Sequence, residues 1–265
     1  MIFHSSIEPV YFLLPVCGFI IGLFGTMLGG GGGFFFLPIL TLLLKVPAQT
    51  AVITSLVATL PICMVGAYGH YRKDNINFRI GSLFATTGIL GAFIGTAVTT
   101  RISAGQLKAG FGVYSVLIAL NMAVNTWQKK KNEDNGKEPQ KTSGIVKITK
   151  ASFFGLFAGT ITGTFGTSGT APVLAGLFSM RIPFKMVIGT SLWVVLVNTI
   201  FATGTHFLIG KIDLTLVYFL TAGSAVGAIT GPKLLAKTKI DRSENKARYW
   251  YAAVMAALGI LMIIR

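Results

Sequence analysis

Two glycine-rich stretches carry the residues of this chain best suited to holding a solute. The first reads GLFGTMLGGGGGFFFLP, residues 22–38, and the second GTITGTFGTSGTAP, residues 159–172. Gly29, Gly30, Gly31, Gly32 and Gly33 lack side chains, so their backbone N–H groups can converge on an anion as a nest. Gly166 and Gly169 bracket Thr167 and Ser168, and Thr170 follows, which adds hydroxyl donors to the second stretch. The short helix expected after each stretch points its positive N-terminal end at the same place. Thr54 and Ser55, and at matching positions Thr190 and Ser191, open the apolar runs downstream and complete the expected substrate-binding set. Such neutral donors suit an oxyanion that must be both bound and released.

Each of these features also has a plainer reading. Glycine-dense segments serve as close-packing surfaces between helices. Threonine and serine hydroxyls bond back to their own helix. His70 and His206 stand at matching span ends and are candidates for proton coupling, although a histidine at a membrane edge is commonly structural. Asn198 is expected to bond a neighbouring helix. The first glycine run is not followed by Lys-Ser/Thr, so it is no P-loop. Cys17 and Cys63 sit in apolar segments, where packing is the better reading than a metal or disulfide pair. No cofactor and no metal are expected. The chain lacks the intramembrane carboxylate pair, histidine cluster or Ser/His/Asp set that an enzyme would need.

The elements that hold these residues are interrupted helices. Glycine costs about 1 kcal/mol per helical position relative to alanine, so neither stretch continues as a helix. Unpaired backbone inside lipid is tolerated only where protein or a water-filled cavity surrounds it. Two such breaks, at matching places in two halves, mark a secondary-transporter site. Around them, 52% of residues are hydrophobic and 12% charged. Residues 48–70, 80–100, 109–127, 186–210 and 214–235 each approach the roughly 20 residues that span a bilayer core. A cleavable signal peptide is not expected, because the first nine residues lack a basic region. The formal charge of +15 does not imply nucleic acid. The basic residues lie in short loops, as the positive-inside rule requires. All eight acidic residues, Glu8, Asp74, Glu133, Asp134, Glu138, Asp213, Asp241 and Glu244, fall in loops or at span ends, which disfavours a carboxylate-based cation path.

The chain repeats itself. Gly25, Thr26, Gly29, Gly32 and Pro38 match Gly159, Thr160, Gly163, Gly166 and Pro172. After a two-residue insertion, Pro47, Thr54, Ser55, Leu56 and His70 match Pro183, Thr190, Ser191, Leu192 and His206. Residues 1–127 form a first transmembrane repeat, 128–150 a cytoplasmic polar linker and 151–265 a second repeat. Each repeat is expected to hold a glycine-broken re-entrant or short-helix hairpin plus three full spans, an all-α polytopic fold of 8–10 helical segments. The linker carries seven lysines. Counting spans outward from it puts Arg72, Lys73 and Arg79 inside, and keeps the basic 233–248 loop inside only if the second copy is inverted. Gly88, Gly91, Gly95, Gly227 and Gly231 are read as helix-packing positions.

The motifs GTMLGGGGGFFFLPIL, VPAQTAVITSL, GTFGTSGTAPVLAGLF with IPFKMVIGTSL, and GSAVGAITGPKLLAK resemble those of the TauE/SafE sulfite exporter family, also called the 4-toluenesulfonate uptake permeases. The resemblance covers nearly everything but the linker. It implies a multi-pass carrier of the cell inner (plasma) membrane for sulfite, sulfonates or related organosulfur anions. Thr167, Ser168 and Thr170 depart from a glycine-only second motif, so the two half-sites need not be equivalent. The expected partners are a small anionic solute and the lipid bilayer, with homo-oligomerisation open. Alternating access, drawing on membrane potential or a proton gradient, is the leading mechanism, and a passive anion channel is the alternative.

Overall fold

The computed structural model describes residues 8–27, 30–133, 144–180, 182–208, 212–237 and 244–264. Gly29, Arg181, Lys211 and the 134–143 part of the linker lie outside the described residues. Ten α-helices follow one another, and the described residues fall into two sets of five. The first set is α1 (Leu14–Met27, led in by a 3-10 turn over Pro9–Leu13), α2 (Gly33–Pro38, continued by a wide turn over Ile39–Leu43), α3 (Ala48–Tyr71), α4 (Phe78–Thr99) and α5 (Ala104–Glu133). The second is α6 (Gly144–Phe165), α7 (Thr170–Ser179), α8 (Phe184–Phe207), α9 (Leu214–Lys237) and α10 (Glu244–Ile264). Among the described residues, six helices are long and apolar enough to cross a membrane. Large apolar side chains such as Phe12, Leu90, Leu117, Tyr218 and Ile264 stand exposed around the bundle. This surface fits lipid and not water. The protein is a multi-pass, all-α membrane protein.

Local chemistry sets the helix starts. Pro47 and Pro183 immediately precede α3 and α8; proline has no N–H for the first turn to leave unpaired. Asn77 Oδ1 accepts from the Ile80 amide at 3.1 Å to cap α4. Asp213 Oδ1 does the same for Leu216 at 3.1 Å ahead of α9. Beyond these caps, the backbone amides of Asn77 and Asp213 donate across the repeats. The Asn77 amide reaches Thr190 Oγ1 at 2.9 Å, and the Asp213 amide reaches Thr54 Oγ1 at 3.2 Å.

Packing exchanges helices between the two sets. α1 runs parallel to α9: Pro15 meets Gly223, Phe19 meets Gly227, and Leu23 meets Gly231. α6 runs parallel to α4 in the same manner: Gly155 meets Phe84, Gly159 meets Gly88, and Gly163 meets Ala92. In each pair a Cβ placed on the glycine would collide with backbone of the other helix. The packing reading of Gly88, Gly91, Gly95, Gly227 and Gly231 therefore agrees with the structure. Equivalent helices of the two sets run antiparallel where they meet. Along α3 and α8, Gly66 faces Leu192 while His70 faces Gly189; along α5 and α10, Gly112 faces Ile263 while Val116 faces Gly259. α3 and α8 form the core, with 67% and 61% of their apolar windows buried against at most 44% for the other candidate spans.

The register of the first helix differs from the one the sequence suggests. Gly22 packs on Ser224 and Gly159 packs on Gly88. Gly88 and Ser224 occupy matching places in α4 and α9, so Gly22, and not Gly25, is the counterpart of Gly159. By the same shift, Gly32, in the residue position before α2, corresponds to Gly169 before α7. Both have left-handed backbone, with φ of 72° and 52°. The glycine-dense sequence allows several registers, and helix-to-helix contact selects one.

Candidate functional site

Each set opens with a helical hairpin whose tip is the glycine break. In the first, α1 reaches the level of Gly66, where Thr26 Cγ2 lies against α3, and the chain then turns back. Gly33 comes to rest against Thr59, halfway along α3. The turn-back depends on Gly31 and Gly32, whose φ values of 59° and 72° exclude most side chains. Gly166 (φ 65°) and Gly169 (φ 52°) do the same for the second hairpin. A side chain on Gly31 would strike Cys63 Sγ at 2.6 Å, so the chain can lie this close to α3 only because that residue is bare.

The two tips meet. Thr170 Oγ1 lies 2.9 Å from the Gly30 carbonyl and 2.8 Å from Ser168 Oγ. With a single proton, Thr170 donates to the carbonyl and accepts from the serine. A Cβ on Gly33 would lie 3.0 Å from the Ser168 amide nitrogen. Thr59 and Cys63 of α3 and Val195 of α8 crowd Gly31 from the flanks. Gly30 to Gly33 and Gly166 to Gly169 are all buried. The two glycine breaks are therefore in contact with each other, where the two sets of helices meet.

The donors at this locus differ in part from the expected nest. The amides of Gly30 and Gly31 turn back to the Gly25 carbonyl, at 2.7 and 3.2 Å. The last carbonyls of α1 have no helical donors of their own, and these two amides supply them. Of the first-turn amides, Phe35 of α2 donates to the Gly32 carbonyl at 3.1 Å and Pro172 of α7 has none, which leaves those of Gly33, Phe34, Thr170 and Ala171 at the helix starts. Thr167 Oγ1 is buried and has no hydrogen-bond partner among the described residues. Ser55 Oγ of α3 and Thr199 Oγ1 of α8 are likewise buried and unpartnered. Ser191 is fully buried in α8. Thr54 and Thr190 turn elsewhere, each accepting from the other repeat's loop amide as described above.

Two histidines complete the surroundings. His206 Nε2 lies 2.6 Å from the Gly163 carbonyl, two residues before α6 ends. A carbonyl only accepts, so Nε2 carries the proton in this contact. Thr99 Oγ1 reaches the next carbonyl, Thr164 O, at 2.8 Å. Both groups hold the frayed end of α6 ahead of the break. His70, the counterpart of His206, is buried with neither ring nitrogen partnered among the described residues. Asn198 faces Gly88 of α4, and its amide is unpartnered there. No group of three or more metal-ligating side chains occurs among the described residues.

Thr59 and Val195 escaped the sequence reading, and Cys63 was read there only as a packing residue. A signal was present: Ser55, Thr59 and Cys63 recur at four-residue intervals, as do Ser191, Val195 and Thr199. That spacing places each trio on one helix face.

The sequence matches the family described as Sulfite exporter TauE/SafE over residues 14–262. This chain belongs to that family. It is 29% identical over 220 residues to a probable membrane transporter protein of Bacillus subtilis, YdhB, covering 81% of this chain and 86% of that one. A probable membrane transporter protein of Methanocaldococcus jannaschii, MJ0441, is 26% identical over 271 residues, covering 95% of each chain. One from Xylella fastidiosa is 25% identical over 251 residues, covering 94% of this chain and 91% of that one. No solved structure matches. The TauE/SafE match spans both hairpins and every helix from α1 to α10, so the paired breaks lie inside the family's own extent.

Proposed function

We propose that this protein is a secondary carrier of small sulfur-containing anions, sulfite, sulfonates or related organosulfur anions, that binds its solute where the two hairpin tips meet. Membership of the TauE/SafE family and the transporter names of its relatives support transport. The observation that carries the site is the convergence of both breaks on one buried locus, at the Thr170–Gly30 contact. Main-chain N–H groups at the starts of α2 and α7 and the unpartnered Thr167 hydroxyl supply neutral donors there. Gly29, which lies outside the described residues, belongs to the same proposed tip. Ser55 and Ser191 belong with it as wall residues of α3 and α8. Thr54 and Thr190 are better assigned to joining the repeats. In this reading His206 positions the end of α6, and proton coupling through His70 and His206 is the subsidiary proposal.

The same locus favours a carrier over an open pore, because both tips are buried against α3 and α8. Antiparallel pairing of α3 with α8 and of α5 with α10 supports inverted repeats in a plasma membrane, with one hairpin entering from each face. The swapped packing also bears on what moves. α1, α2 and α9 pack on α3, and α4, α6 and α7 pack on α8, while α3 and α8 pack as extensively on each other. Glycine-lined backbone contact welds α1 to α9 and α4 to α6. The moving bodies are accordingly these mixed groups and not the sequence repeats. They would rock about the α3–α8 contact to open the tips alternately to each side.

The test is flux of labelled methanesulfonate and sulfite into liposomes holding the purified full chain. Saturable uptake with counterflow is expected. Flux that rises without saturation would point to a channel, and absence of binding and uptake for all such anions would overturn the assignment.

A further inference from the structure

We infer that the tip site accepts singly charged anions and rejects doubly charged ones of the same size, an inference that rests on the site reading above. The reason lies in what surrounds the tips. Among the described residues no lysine or arginine is buried; the buried polar and charged groups are threonines, serines, Asn198, His70, His206 and Asp213. By sequence, residues 9–44, 46–71, 80–100, 151–180 and 186–210 contain no lysine, arginine, aspartate or glutamate. Gly33 and Ser168 are in contact in this structure, so a solute enters only when the tips part; it is then stabilised by main-chain dipoles and hydroxyls, without a fixed countercharge. The Thr167 hydroxyl lies within the break itself, 2% exposed and without a hydrogen-bond partner among the described residues.

Charge then decides selectivity. The cost of removing an ion from water into a low-dielectric site grows with the square of its charge. Its attraction to fixed dipoles grows only in proportion to the charge. Doubling the charge quadruples the first and merely doubles the second. A site that just balances for a monoanion is thus strongly unfavourable for a dianion, unless a buried cation compensates. The exposed Arg72 and Lys73 at the end of α3 draw both kinds of anion to the surface by long-range attraction, but they do not reach the tips. The chemical class selected is a sulfonate or hydrogensulfite, with sulfate and fully ionised sulfite excluded.

The experiment is counterflow of labelled methanesulfonate in liposomes with the full chain, competed by unlabelled methanesulfonate, sulfate and sulfite. It is run one pH unit below and one above the second ionisation of sulfurous acid. Methanesulfonate keeps one negative charge throughout, so it reports any contribution from His70, His206, Cys63 or Asp213. Relative to that control, sulfite is expected to lose about tenfold in apparent affinity across the interval, following its monoanion fraction. Sulfate, a dianion at both values, is expected to compete at least about tenfold more weakly than methanesulfonate. Equal competition by sulfate, or sulfite affinity that does not track the monoanion, would overturn the charge rule while leaving the site in place. Failure of every anion, methanesulfonate included, to bind or exchange would overturn the site reading and the charge rule together.

Discussion

Replacing Gly33 by alanine probes the tip contact at its tightest point. The new Cβ would lie 2.7 Å from Thr59 Oγ1 and 3.0 Å from the Ser168 amide. Ordinary contact is about 3.5–4.0 Å, so the two tips and α3 must part by about 0.5–1 Å, a strain of about 1–3 kcal/mol for an overfilled interior. Gly33 has no left-handed backbone, so alanine in the first turn of α2 recovers about 0.4–1 kcal/mol through the unfolded state. The net loss of stability is about 0–2.6 kcal/mol, a modestly lower melting temperature with insertion and folding retained. The occluded arrangement bears the whole strain, and because about 1.4 kcal/mol is a factor of ten, flux is expected to fall by roughly five- to a hundredfold. Gly105→Ala is the internal control. Its Cβ would meet nothing within 4 Å, so flux should hold near the wild-type rate. The assay is methanesulfonate uptake in liposomes beside a melting curve for each variant. Wild-type flux in Gly33→Ala, with a normal melt, would refute the claim that the tip contact is part of the transport cycle.

Other outcomes follow from the same contacts. Thr170→Val removes the donor to the buried Gly30 carbonyl and should cost about 1–3 kcal/mol, seen as a lower melting temperature; Thr170→Ser should restore it. Thr54→Val and Thr190→Val each strand a loop amide, so the pair should lower the melting temperature while leaving the ranking of competing anions unchanged; an altered ranking would return both hydroxyls to the binding site. Thiols introduced at Phe12 and Phe219, whose rings are 6.0 Å apart, or at Phe78 and Trp193, 5.3 Å apart, should tolerate a short bifunctional cross-link with flux intact. The same link between Ala67 and Leu192, which share a core cluster at the α3–α8 contact, should stop flux, and the reverse pattern would disprove the mixed moving bodies.

Much of this protein was legible from composition and order. Long apolar runs dictated spans, because backbone in lipid must bond within its own helix. The glycine runs showed where helices must stop, because glycine is a poor helix former at any depth. Duplication placed the two breaks in corresponding positions, and the prolines at 47 and 183 marked the starts of the core helices. The hydrogen bonds at the candidate site were not legible. The amides of Gly30 and Gly31 turn to the Gly25 carbonyl and finish α1, and Thr54 and Thr190 accept from loop amides far away in sequence.

What sequence alone determined is a broken, duplicated, lipid-soluble chain, since these properties belong to single residues and their neighbours. Tertiary structure decided that the breaks touch each other, that α1 pairs with α9 and α4 with α6, and that Thr59, Cys63 and Val195 enclose the tips. Those outcomes depend on which bare glycine surface fits which opposing backbone. Glycine carries no side chain by which a sequence could name its partner, so only the fit of whole helices selects it.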